Sequence, residues 1–201
     1  EPMGMPKVSY DYQAPLGEFG LEHGSYRYLR LIHSFLSDFS DLLAPMQTVL
    51  PSDFQAMTPG NGDDVRYAAR MKDGRGFIFM INFQDHDTLR HDQTGLQLVL
   101  KLRGETLTIP SASAPRHAGT TAGSGSSTGA SGATFTLPKD QSVILPFNFE
   151  MGGALLKYAT AQLLMKIDDG GIEHYFFFAP EGMSTEYFFD SKSVRGKFRF
   201  T

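Results

Sequence analysis

Apolar and polar positions change their rhythm twice along the 201 residues. From Tyr26 the apolar positions Tyr28/Leu29, Ile32, Phe35/Leu36, Phe39 and Leu42/Leu43 recur at helical spacing. Ser25 is placed to cap this helix and Pro45 to end it. Its polar face would carry Arg27, Arg30, Ser34, Ser37, Asp38 and Asp41. One amphipathic helix needs something to pack against. Pro45, Pro51, Pro59, Gly60, Asn61 and Gly62 then break any regular element.

From Val65 the rhythm becomes that of short strands between turns. Strands are predicted at 65–71, 76–83, 95–102, 105–109, 135–137, 142–149, 155–161, 163–167, 172–178, 185–189 and 197–200. Asp73-Gly74 between the first two is a hairpin signal, because it tolerates positive φ. In 95–102, alternation puts Leu96, Leu98, Leu100 and Leu102 on one face. Tyr175-Phe176-Phe177-Phe178 lacks alternation, which predicts burial on both faces; a sugar-stacking platform is the alternative. Ser111 to Ala133 is almost wholly Ser, Gly, Ala and Thr and buries too little to offset its ordering entropy, so it reads as a flexible insert. The expected fold is therefore mainly β: an antiparallel β-sandwich preceded by one amphipathic helix. The expected organisation is residues 1–44, a linker at 45–64 and a sandwich at 65–201 with the insert at 111–133.

Composition narrows the picture without deciding it. The 17 Phe and 8 Tyr, with no Trp, suit pleated faces. A net charge of −4 gives no support to nucleic-acid binding. No apolar run approaches the roughly 20 residues that span a bilayer. The absence of Cys excludes disulfides and thiolate chemistry. Asp85-His86-Asp87 with His91-Asp92 has the composition of a zinc or calcium site but reads as a polar turn, and no metal or cofactor is expected. His174 reads as an outward-facing strand residue, and Gly152-Gly153 and Gly170-Gly171 as turn glycines.

The chemistry-bearing stretch lies before the helix. Val8-Ser9-Tyr10-Asp11-Tyr12 is β-prone, with Tyr10 and Tyr12 on one face, and Pro15 stops it. Paired tyrosines suit stacking on a sugar and hydrogen-bonding its hydroxyls; the alternative is a half-buried strand with tyrosines at its rim.

The run from Ser9 to Gly20 (SYDYQAPLGEFG) resembles the S-Y-D-Y-x-A-P-L-x-E-x-G run of glycoside hydrolase family 35, the β-galactosidases. Tyr26 to Leu36 resembles the helix that follows it there, and His174 to Phe178 with Pro180-Glu181-Gly182 resembles the later β-domain. The resemblance implies that residues 1–44 are the last strand and helix of a (β/α)8 catalytic barrel. It implies hydrolysis of terminal β-galactosides by retention, with Tyr10 and Tyr12 lining the galactose pocket. It also suggests a periplasmic or extracellular location.

Retention needs two carboxyl groups about 5–5.5 Å apart, one exchanging the proton and one attacking the anomeric carbon. In the family both glutamates lie on barrel strands upstream of this run. Of the 22 acidic residues, Asp11, Glu18, Glu173, Glu181 and Glu186 are the nearest candidates, and nothing in their spacing makes two converge. The chain begins Glu1-Pro2-Met3-Gly4-Met5, which suggests a processed or truncated sequence. The expectation is a C-terminal portion without the catalytic pair, partnered by a catalytic barrel and meeting galactosides through the parent active site. The alternatives are a non-catalytic carbohydrate-binding module and a purely structural one.

Overall fold

The computed structural model describes residues 11–12, 14–56, 58, 60–84, 91–111 and 133–195. The predicted strand at 197–200 and nearly all of the Ser/Gly-rich insert lie outside them. The fold is a mainly β, antiparallel sandwich preceded by one helix. After helix α1 (Gly24–Leu43) and strand β1 (Gln47–Val49) come β2 (Arg66–Lys72) and β3 (Arg75–Asn82). Next are β4 (Gln93–Leu96), β5 (Leu98–Leu102), β6 (Glu105–Ile109) and β7 (Phe135–Leu137). The chain continues through β8 (Gln141–Met151), β9 (Ala154–Ala159), β10 (Gln162–Asp169), β11 (Ile172–Phe178) and β12 (Tyr187–Phe189).

The central sheet has the order β1-β2-β3-β8-β9-β12, and the pairs β4-β7, β5-β6 and β10-β11 form three ribbons. The predicted Asp73-Gly74 turn joins β2 to β3, with φ of 52° and 77° at its two residues. Positive φ at both matches the right-handed twist of the flanking strands.

The two faces of the sheet bury different cores. On one face Ile78, Met80, Val143 and Leu145 pack with Leu98, Leu107, Ile109, Phe135 and Leu137 of the small ribbons. On the other, Phe77, Ile144, Phe149 and Leu156 pack with Phe35, Phe39 and Leu43 of α1 and with Leu163 of β10. Two residues apart on a regular strand share a face, yet Phe147 enters the first core and Phe149 the second. Asn148 between them has φ +46°, and this left-handed residue is where β8 changes faces. Its Nδ2 donates to Gly74 O and to Glu105 Oε1, at 2.8 and 2.7 Å.

Several expectations are corrected. The helix begins at Gly24, and its N-cap is His23, which makes no side-chain capping bond, rather than Ser25. The segment predicted as an irregular linker contains β1, paired antiparallel with β2, and a single 3-10 turn at Phe54–Ala56. The 95–102 strand is two strands, because the chain changes partner at Gln97, from β7 to β6. Gln97 Nε2 donates there to Pro110 O (3.3 Å) and Ala133 O (3.1 Å). The 175–178 run is not buried on both faces: Tyr175 and Phe177 join the helix-side core, while Phe176 is 43% exposed. The reason is alternation along β11, which turns Tyr175 and Phe177 toward that core and Phe176 the other way.

The helix packs on the sheet, and only half of it does so. Phe35 and Phe39 are 0% and 2% exposed, and Phe35 meets Phe77 edge-on at 5.1 Å. Arg70 Nη2 of β2 donates to Leu43 O (3.2 Å) and Met46 O (2.8 Å), fixing the helix end to the sheet. At about 100° per residue, Tyr28 and Ile32 point the same way as Phe35 and Phe39. Tyr28 is nonetheless 78% exposed, and Leu29, Ile32 and Leu36 are also exposed. The first two turns of α1 therefore overhang the sheet.

Candidate functional site

The described residues between Asp11 and His23 form a compact loop leading into the overhanging turns. Ala14 N donates to Asp11 O at 2.7 Å. Leu16 and Glu22 form an antiparallel bridge, and Gly17 N donates to Leu21 O at 2.8 Å and His23 N to Pro15 O at 3.1 Å. Asp11 and Tyr12 lie in a turn rather than the strand predicted for them, and Tyr12 has φ +46°. Proline at 15 and glycine at 17 favour this outcome, since the loop closes on its own hydrogen bonds instead of a sheet ladder.

The Asp11 carboxylate organises the loop. Its Oδ2 lies 3.2 Å from His23 Nε2. A Cβ at position 17 would sit 2.7 Å from that same oxygen and 3.3 Å from Leu21 O, so only glycine leaves room for the carboxylate. Proline, glycine and aspartate of the run thus have structural work: they close the loop that presents Tyr12. Tyr12 is 85% exposed, and Phe19 (77%) and Leu21 lie exposed on the same loop. Of the two tyrosines predicted to bind substrate, Tyr12 is at the surface and Tyr10 lies outside the described residues.

The candidate carboxylates fall into separate networks. Glu173 accepts from the Tyr175 hydroxyl at 2.8 Å and pairs with Lys166 at 3.4 Å. Burial first, and this bond second, push the Tyr175 phenol up to about 12. Glu186 accepts from the Tyr158 hydroxyl, which in turn accepts from Ser111 N at 2.7 Å. Tyr158 is wholly buried, and its phenol is raised by that burial and then by Glu186. This network ties the start of the Ser/Gly-rich insert to β9. Glu181 lies in the turn after β11, and Glu18 in the opening loop. Glu105, not singled out from sequence, holds Lys157 Nζ at 2.7 Å and is lowered chiefly by that bond.

The remaining candidates from the sequence fall only partly within the described residues. Asp85, His86 and Asp87 lie outside the described residues, whereas Asp92 Oδ1 accepts from Lys139 N at 2.9 Å. Among the described residues no group of three or more His, Asp or Glu is placed to hold a metal. A shallow open groove of about 380 Å³ runs between α1 and β10, lined by Arg30, Ser34, Ser37 and Lys166 among others. Asp38 Oδ2 accepts Lys166 N there at 2.8 Å. Arg30, Lys166 and Asp38 all line it, so charges of both signs face the groove. His174 is exposed, as predicted for an outward-facing strand residue. Among the described residues no helix is long and apolar enough to cross a membrane.

No family model and no curated protein matches the chain. What sequence reasoning missed is the overhang of α1 and its continuity with the loop. The helical period reports which side of a helix is apolar, and not how far the sheet beneath it extends.

Proposed function

We propose that the chain is a C-terminal portion of a glycoside hydrolase resembling the family 35 β-galactosidases, in which the opening loop and the first turns of α1 meet a catalytic barrel. The observation that carries this reading is the exposure of the apolar side chains of Tyr12, Phe19 and Leu21 in the loop and of Tyr28, Leu29 and Ile32 in the first turns of the helix. It coincides with the stretch bearing the resemblance. So many large apolar side chains left exposed in one stretch of chain suit an interaction site. In the proposal Tyr10 and Tyr12 form one wall of the galactose pocket, and the proton-exchanging and nucleophilic glutamates belong to the barrel.

The reading expects residues 1–201 alone to leave a chromogenic β-galactoside intact. Robust turnover by the purified chain, abolished by Glu186→Gln or Glu173→Gln, would overturn it. A second reading, a non-catalytic carbohydrate-binding module, is favoured by the exposure of Tyr12. Calorimetric titration with a sugar panel separates the two. Saturable binding by the isolated chain, lost on Tyr10→Ala with Tyr12→Ala, supports the module.

A further inference from the structure

Asn61-Gly62 lies in the loop before β2. The chain has three asparagines, Asn61, Asn82 and Asn148, and only Asn61 precedes glycine. Asn82 is buried and donates to Leu137 O at 3.1 Å, and the amide of Asn148 is held by Gly74 and Glu105. At Asn61 the surroundings are different. Asp63 N donates to Asn61 Oδ1 at 2.9 Å, and Asn61 Nδ2 donates to Asp64 Oδ2 at 2.6 Å. The Asp63 N–H therefore sits where an oxyanion on the side-chain amide would form, the arrangement that stabilises a tetrahedral intermediate. Glycine at 62 offers its amide nitrogen as the nucleophile without a Cβ to hinder the approach.

We infer that Asn61 is a self-modification site, deamidating through attack of Gly62 N on its own Cγ. The N–Cγ bond forms, the Cγ–Nδ2 bond breaks, and ammonia leaves with the proton lost by Gly62 N. Water then opens the cyclic imide at either carbonyl, leaving aspartate or isoaspartate. No enzyme, oxidant or metal is required. The product carboxylate faces Asp64 where an amide donor stood, so the 2.6 Å contact is lost. The same loop is tied to its neighbours by Arg66 Nη2 to Asn61 O (3.2 Å) and Gln93 Nε2 to Asp63 O (2.7 Å). Modification therefore loosens the link between β2 and β4.

The test is peptide mapping by mass spectrometry of the folded chain held in mildly alkaline buffer, beside the same chain unfolded in urea. The expected result is an amide-to-acid mass gain at Asn61 in two chromatographic forms, at least as fast folded as unfolded, with Asn82 and Asn148 unchanged. Asp63→Pro removes the N–H donor and slows the folded reaction by about tenfold, the equivalent of one hydrogen bond to a developing charge. In urea it leaves the rate unaltered. An Asn61 peptide that stays intact in the folded protein while converting in urea would overturn the inference, as would a folded-state rate indifferent to Asp63→Pro.

Discussion

Truncating Phe35 tests whether α1 belongs to the sandwich or merely lies beside it. Phe35 is fully buried, 5.3 Å from Phe39 and 5.1 Å from Phe77 between ring centroids. Phe35→Ala removes a ring from the helix-side core and leaves a cavity walled by Phe39, Phe77 and their neighbours, at a cost of about 3–5 kcal/mol. With a urea m-value near the upper end of the ordinary range, about 2.5 kcal/mol per molar, the unfolding midpoint falls by about 1–2 M. The protein has no Trp and 8 Tyr, so circular dichroism and tyrosine emission are the probes. Both should move together, because helix and sheet share one core. Tyr28→Ala is the internal control: it lies on the same helical side but is largely exposed, and should change stability by less than about 0.5 kcal/mol. A Phe35→Ala variant that loses helical signal while its sheet signal keeps the original midpoint would refute the shared core.

The remaining expectations concern polar contacts. Arg70→Met frees the Leu43 and Met46 carbonyls and should cost about 1–3 kcal/mol in chemical unfolding; the buried, unpartnered Arg70 Nε moderates the loss. Gly17→Ala places a Cβ against the Asp11 carboxylate, so the amides at position 17 and at His23 should exchange faster, with the global midpoint retained. Glu105 is depressed by Lys157, so its contribution is present above the ordinary glutamate range and is lost as pH falls through the folded value. Lys157→Met should move its NMR titration midpoint back upward. Tyr175, raised to about 12, works in the opposite sense. Its contribution is full below the ordinary phenol value of about 10 and fades as pH rises toward the folded one, which alkaline tyrosinate titration reads as a late-ionising ring.

How much of this was legible in the sequence varies with the range of the forces involved. The helix, the Asp73-Gly74 hairpin and most strands follow from local period and turn chemistry, and they appear within a few residues of their predicted places. β1 was not legible, because three exposed residues, Gln47 to Val49, carry no alternation and become a strand only through pairing with β2. Burial of the aromatic β11 run was overestimated, since an unbroken aromatic composition hides the alternation that turns Tyr175 and Phe177 inward and Phe176 outward. At the candidate site the sequence reading found Tyr12 but placed it in a strand. The bonds that decide otherwise link Asp11 to Ala14 and to His23, the latter twelve residues away, and only the folded loop brings them together. The Arg70 clamp is equally non-local, joining β2 to carbonyls 24 and 27 residues earlier.

The most direct test of the functional proposal is a chimera that replaces the corresponding C-terminal region of a family 35 β-galactosidase with this chain, joined within the Ser9 to Gly20 run. The folded chimera should hydrolyse a chromogenic β-galactoside, the 201-residue chain alone should not, and Tyr12→Ala should lower kcat/KM of the chimera. A chimera that folds but is inactive, or hydrolysis by the chain alone that disappears when one of its own carboxylates is changed, would contradict the proposal.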